Sequence, residues 1–289
     1  MMKKLPMIML LVFGFFAFKT DKPAYLLFNQ QGKLVKYKKL TEAAQKADIV
    51  FFGELHNNPI SHWLQYELTN DLFINKQGKI TLGAEMFEAD NQEALNLYLI
   101  DTLDKEALKT QARLWPNFST DYAPLVDFAK TNKLPFVATN IPRKYASMVY
   151  KFGFEALDTL SNEVKAFIAP LPIAYDPELP GYKGMLEMMG GMSDHVTEKL
   201  PMAQAIKDAT MAWFIHQHMQ AGQTFIHYNG SYHSDRFEGI IWYLKRLNPT
   251  VKVLTISCIE ADTMGKLPDE SKGLADFIVS IPTTMTKTY

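Results

Sequence analysis

The sequence predicts an α/β protein: a three-layer sandwich with a mostly parallel central sheet, helices on both faces, and a helical, methionine-rich excursion. Three observations carry this. Short β-branched and aromatic runs alternate with helix-length segments, strand runs end in glycine or polar turns, and two such turns share one pattern. These are Gly53-Glu54-Leu55-His56 and Gly230-Ser231-Tyr232-His233. A chain of 289 residues is long enough for one large unit to bury most of its apolar surface. Its composition, 47% hydrophobic and 21% charged, excludes disordered, collagenous and polytopic membrane classes. With 30 basic against 31 acidic residues there is no broad cationic field, which argues against nucleic acid as a partner.

Residues 1–20 read as a signal peptide. Lys3 and Lys4 form a positive start, and residues 5–18 are an apolar stretch interrupted only by Pro6 and Gly14. That stretch is shorter than the roughly 20 residues of a membrane-spanning helix. Cleavage is the favoured outcome and retention as an uncleaved anchor the other, because small residues are poorly placed around Phe16-Ala17-Phe18. The expectation is an exported protein of the periplasm or cell envelope, touching a membrane only through this segment if it is kept. Residues 21–40 then read as a β-hairpin, with arms at 25–28 and 34–37 around Asn29-Gln30-Gln31-Gly32.

The main domain, 41–289, follows a repeating plan. A buried strand at 49–52 runs into the first Gly-x-x-His and a helix over 59–72, with Pro59 at a first-turn position that needs no N–H. A strand at 80–86 leads to a helix over 91–99 for which Asp90 is the expected N-cap. A third strand, 135–139, ends at Asn140 and gives way to a helix after Pro142. Three such units in succession imply parallel strands with right-handed crossovers. The excursion, 169–202, carries Pro170, Pro172, Pro177 and Pro180 with Met185, Met188, Met189 and Met192. A helix over 202–219, a strand over 224–228, a helix over 235–247 and strands over 251–257 and 277–281 complete the pattern.

Ligands of open α/β sheets sit beyond the carboxyl ends of the strands. Four predicted strand ends bring polar groups there: Glu54 and His56, Glu85 and Glu88, Asn140 with Arg143, and Asn229, Ser231 and His233. Glycine lets the backbone turn sharply, and residues two apart in an extended chain point the same way, so Glu54 and His56 share a side. A helix N-terminus after each turn would disfavour protonation, leaving His56 and His233 as neutral imidazoles able to bind a metal or take a proton. One Gly-x-x-His is a chance event, and a lone histidine is more often a surface or capping residue. Two copies at equivalent junctions, with Glu85 at a third, favour a site. His62, His216, His218 and His227 read as helix-surface or strand residues, and His195 is left open. Asp208 reads as a solvated helix charge or a partner of Arg143 or Arg236. The methionines are either flexible core filling or, with Tyr175, Tyr182 and His195, an apolar lid over a flat hydrophobic ligand. The single cysteine, Cys258, excludes an intramolecular disulfide and thiolate metal clusters.

Four motifs in order resemble the ChaN-like family of iron-regulated bacterial proteins, relatives of the Tiki, TraB and erythromycin-esterase group. They are Phe51-Phe52-Gly53-Glu54-Leu55-His56, Gly83-Ala84-Glu85-Met86-Phe87, Asn140-Ile141-Pro142-Arg143 and Asn229-Gly230-Ser231-Tyr232-His233. The resemblance spans about residues 40–260. It implies a haem-binding protein of the cell envelope, active in haem or iron acquisition, with a tyrosine as axial ligand and two haems stacked across a homodimer. Tyr175, Tyr182, Met188, His195 and Arg143 are the expected cofactor-binding set. The Tiki relatives imply an alternative, a metal-dependent hydrolase of peptidase or esterase type. There His56, Glu85 and His233 would hold Mn, Co or Zn, and Glu54 would join them in catalysis. Both functions can coexist, and a pure interaction module explains the paired histidines least. The chain departs from lipoprotein members in lacking a cysteine after the signal, so no lipid anchor is expected.

Overall fold

A computed structural model describes residues 22–190 and 199–289. The predicted signal segment 1–20, and His195 with Met192, lie outside the described residues. The core is a seven-stranded sheet in the order β1-β7-β6-β2-β5-β3-β4. The strands are β1 (Leu26–Asn29), β2 (Ile49–Glu54), β3 (Ile80–Glu88), β4 (Phe136–Asn140), β5 (Thr224–Gly230), β6 (Val253–Ala261) and β7 (Phe277–Pro282). All neighbours run parallel except the edge pair β1 and β7. Every residue of β2 and β5 is buried, as expected of central parallel strands covered on both faces.

Side-chain alternation divides the core in two. Val50 and Phe52 face one layer with Leu68, Leu82, Leu95 and Val126. Ile49 and Phe51 face the other with Ala205, Phe225, Ile240 and Leu244. The first layer contains α1 (Tyr37–Ala44), α2 (Pro59–Asn75), α3 (Gln92–Leu99), α4 (Lys105–Gln111) and α5 (Ala123–Asn132). On the second side lie α6 (Arg143–Phe152), the short α7 (Asn162–Lys165), α8 (Pro180–Gly190), α9 (Leu200–His218) and α10 (Ile240–Leu247). The excursion contributes α8, which carries Met185, Met188 and Met189. Among the described residues no helix is long and apolar enough to cross a membrane.

Three local expectations are corrected. The hairpin at 21–40 is shorter than expected: the chain turns at 29–32, the Asn29 and Val35 N–H groups bond across to the Lys33 and Leu27 carbonyl oxygens and Leu34 bridges Phe28, but the chain from Tyr37 is helical. Leu40 and Ala44, four apart, give that helix a buried stripe that the hairpin reading overlooked. Asp90 is not an N-cap: β3 extends to Glu88, a 3-10 turn intervenes, and Asp90 pairs with Arg113. The helix expected over 235–247 begins only at Ile240, because Arg236, Phe237 and Gly239 take φ of 57°, 62° and 54°. Gly239 is required there, since a Cβ would lie 2.3 Å from the His233 carbonyl oxygen.

Candidate functional site

The two Gly-x-x-His turns are neighbours, because β2 and β5 pair in register with Gly53 beside Asn229 and Glu54 beside Gly230. Each glycine makes room for the other turn. A Cβ on Gly53 would stand 2.8 Å from Ser231 Cα and 2.8 Å from the Ile256 carbonyl oxygen; one on Gly230 would stand 2.7 Å from His56 Nε2. The repeated pattern is therefore a mutual packing requirement between adjacent parallel strands.

Glu54, 2% exposed, is the centre of the first turn. His56 Nδ1–H donates to its Oε1 at 2.9 Å, the Tyr122 hydroxyl donates to the same oxygen at 2.8 Å, and Gln65 Nε2 donates to Oε2 at 2.6 Å. With Nδ1 thus committed, His56 keeps Nε2 for the cleft side, and its ring meets Trp115 edge-on at 4.9 Å. Behind it, His62 and Asn117 both donate to the His56 carbonyl oxygen, at 3.1 and 3.0 Å.

The second turn delivers His233 between two carboxylates. Its Nε2 stands 3.2 Å from Glu85 Oε1 and its Nδ1 2.5 Å from Asp208 Oδ1. Glu85 Oε2 also accepts the Gly230 N–H at 2.8 Å, and Asp208 Oδ2 accepts the Tyr182 hydroxyl at 2.8 Å. Burial on its own would lower the His233 pKa, but Glu85 and Asp208 outweigh it and raise it to about 10. Burial would likewise raise Glu85, yet His233, His56 and the Gly230 N–H hold it well below the usual carboxylate range. His56 is shifted upward too, burial being overcome by the Glu54 hydrogen bond and by Glu85. Burial keeps Asp208 above the ordinary range, against the pull of His233. The expectation of a neutral imidazole is thus reversed at His233, while at His56 the nearby carboxylates shift the balance toward the protonated form. No α-helix starts directly after His233, and nearby carboxylates dominate any helix field.

Above these groups lies a cleft of about 900 Å³, near the upper end of ordinary ligand pockets. Leu55, Trp115, Ile141, Met185 and Leu200 form its apolar wall, and Arg143, Lys207 and Tyr232 stand around it. Glu54, His56, Glu85 and His233 line it, as does Arg143, so five of the predicted site residues converge. Tyr175 and Tyr182 do not line it. Tyr182 is buried with its hydroxyl on Asp208 and borders a separate pocket of about 330 Å³; Tyr175 packs on Phe154 and Tyr182. Met188 belongs to α8.

The metal assignment to His56, Glu85 and His233 lacks support. Among the described residues no group of three or more His, Cys, Asp or Glu side chains is arranged to hold a metal ion. Both ring nitrogens of His233 face carboxylates, and a doubly bonded imidazolium has no lone pair to give. Asp208 is neither solvated nor paired with Arg143 or Arg236, and His62 is buried beside Gln65 rather than on a helix surface. Gln204, Lys207, Asp208, Trp115 and Tyr232 were the site residues the sequence reading did not single out as such. Gln204, Lys207 and Asp208 follow i, i+3, i+4 spacing in the otherwise apolar first half of the helix, a usable signal. Tyr232 lies inside the second motif itself.

Residues 40–244 match the family described as haem-binding uptake, Tiki superfamily, ChaN. The fold resembles a solved ChaN of Campylobacter jejuni with cofacial haem, at 15% identity and a TM-score of 0.67, covering 88% of this chain and 96% of that one. It also resembles an erythromycin esterase in its open conformation, at 12% identity and a TM-score of 0.50, over 89% and 97% of the two chains. The chain is 25% identical over 200 residues to Protein RETICULATA-RELATED 5, chloroplastic, of Arabidopsis thaliana, covering 64% of this chain. It spans about 26% of the length of that relative. The family match covers well over half of the sequence, and the chain belongs to the haem-binding uptake family of ChaN, within the Tiki superfamily.

Proposed function

We propose that this chain binds haem in the cleft beyond β2, β3, β4 and β5, with Tyr232 as the iron-side residue. The observation that carries this reading is one phenol, 38% exposed, beside an apolar wall and two cationic side chains in a single cleft. The donor set suits the group: phenolate oxygen is an established axial ligand of ferric haem, guanidinium and ammonium suit propionates, and Met185 with the aliphatic wall suits a macrocycle. Tyr232 would take the place that the sequence reading gave to Tyr175 and Tyr182. Its hydroxyl donates at present to the Gly181 carbonyl oxygen at 2.5 Å, a bond that ligation would exchange. Titrating haem into the purified chain should give a saturable Soret shift that Tyr232→Phe weakens and Tyr175→Phe does not. A shift unaffected by Tyr232→Phe sinks the assignment.

In the same reading the chain acts in haem or iron acquisition at the bacterial cell envelope, exported by residues 1–20 and paired as a homodimer around the haem. Cell fractionation and the mass of haem-loaded protein on size-exclusion light scattering test these points.

A second reading, hydrolysis, is favoured by one feature: Glu54 holds His56 so that Nε2 is the free ring nitrogen, which is the arrangement of a general base. The donor geometry supports this reading without a metal rather than with Mn, Co or Zn. Screening aryl esters and peptides against the wild type and His56→Ala tests it. Turnover that persists in His56→Ala counts against the assignment of the base.

A further inference from the structure

Asn140 ends β4 and lines the cleft, and it is only 9% exposed. Its Nδ2 donates to the Glu85 carbonyl oxygen at 3.0 Å, while its Oδ1 is buried with no hydrogen-bond partner. The amide cannot be reversed without setting oxygen against oxygen, so the unpaired atom is an acceptor. A buried acceptor without a donor is costly, and at the wall of a cleft the donor is expected from the ligand. Three residues on, Arg143 begins α6, which has no side-chain cap and no acidic residue in its first turn. Neither the exposed Arg143 nor the half-buried Lys207 joins an ion pair with any described residue. A helix N-terminus and two unpaired cations suit an anion. The two demands differ: one corner of the cleft wants a negative group and its neighbour wants an O–H or N–H.

We infer that the Asn140–Arg143 corner is a subsite for an organic acid that also carries a hydroxyl or amide N–H donor, the carboxylate meeting Arg143 and Lys207 and the donor meeting Asn140 Oδ1. The Leu55, Trp115, Ile141 and Met185 wall accepts its apolar remainder. This goes beyond the haem reading, and the acid and haem exclude each other, because both would use Arg143, Lys207 and the same apolar wall. The methyl, vinyl and ionised propionate groups of haem offer no donor, so haem by itself leaves Asn140 unpaired.

The test uses the haem-free full chain and three probes of similar shape: phenyllactate, N-acetylphenylalanine and phenylpropionate. Calorimetric titration should show at least one donor-bearing acid binding about tenfold tighter than phenylpropionate, the size expected for one good hydrogen bond. Asn140→Leu should erase that preference while phenylpropionate still binds, and Arg143→Ala should weaken all three. A general loss of structure would lower every affinity without equalising them, so the ratio separates recognition from folding. As a measurement without substitution, the Asn140 side-chain amide resonances should shift with phenyllactate more than with phenylpropionate. Equal affinities in the wild type, a preference that survives Asn140→Leu, or no binding of any probe at millimolar concentration overturns the inference. Because no haem is present, these outcomes are independent of the Soret experiment.

Discussion

Gly53→Ala and Gly230→Ala look like the same conservative change at equivalent positions of two matching turns, and the structure predicts different results. At Gly53 the new methyl meets backbone on two sides, Ser231 Cα and the Ile256 carbonyl oxygen, each at 2.8 Å. Strands β5 and β6 both flank β2, so relief requires moving a sheet neighbour. Overpacking of this kind costs about 1–3 kcal/mol, and the reduced freedom of the unfolded chain returns about 0.4–1 kcal/mol. The net loss is about 1 kcal/mol, or roughly 2–4 °C in Tm for a domain of this size. At Gly230 the methyl meets the His56 ring, at 2.7 Å from Nε2, and the nearest other atom is Glu85 Oε2 at 3.6 Å. The His56 side chain is 37% exposed and can swing outward. Gly230→Ala should therefore cost less than about 1 kcal/mol but break the hydrogen bond to Glu54. The His56 pKa should then fall from its raised value, because the Glu54 bond is the leading cause of that rise. Thermal unfolding and an NMR titration of the His56 ring measure both. The reasoning is refuted if Gly53→Ala melts with the wild type, or if Gly230→Ala leaves the His56 titration unchanged.

Other consequences follow from the buried charges. His233→Gln leaves Glu85 and Asp208 buried without their shared cation and should destabilise the fold by about 3–5 kcal/mol, measured as a lower urea midpoint at unchanged m; a loss below about 1 kcal/mol would mean that His233 is not the ion described. The folded-state pKa of His233, about 10, lies above its ordinary value, so its contribution is complete below that ordinary value and is lost as pH rises through about 10. Glu85 is shifted the other way, and its contribution is present above the ordinary carboxylate value and disappears in acid. Burial also lowers His227 to about 4, so the unfolded chain takes its proton first and stability falls as pH drops from about 6.5 towards about 4. Urea unfolding at several pH values should show a loss on both flanks, and the acid-side loss over that interval should shrink in His227→Gln.

The parts of the fold that could be read from the sequence are those whose signal is local. Runs such as Ile49-Val50-Phe51-Phe52 are buried on both faces and carry continuous apolar residues, so the parallel sheet and its strand ends were readable. Helix α1 was not, because its buried stripe is only Leu40 and Ala44 among lysines that also suit an exposed hairpin arm. Helix α5 and the turn Phe118–Tyr122 were missed for a related reason: they pack on Tyr66 and Phe87 from distant elements. In the site, Glu54 and His56 were readable because a two-residue spacing on a strand fixes their side. Asp208 was not, since its role depends on α9 packing against β4 and so reaching His233, and its charge state depends on burial that sequence does not display. The reversal at His233 has the same origin. A helix field can be guessed from chain order, whereas a carboxylate brought in by another strand cannot.

The architecture separates two sets of groups within one cleft. Glu54, Glu85, His233 and Asp208 form a buried polar floor whose members are held by hydrogen bonds within the fold, while Arg143, Lys207 and Asn140 keep polar groups without a partner and Tyr232 has only its bond to Gly181 to exchange. His56 stands on this floor through its bond to Glu54, with its side chain 37% exposed to the cleft side. Binding and hydrolysis therefore depend on different residues and can be told apart by two substitutions in the same chain. If the cleft serves haem, Tyr232→Phe should weaken the Soret shift and His56→Ala should leave most of it. If it serves hydrolysis, His56→Ala should abolish turnover and Tyr232→Phe should spare it. Equal damage from both in both assays would mean that the floor and the ligand wall are not separable, and would refute this division of the site.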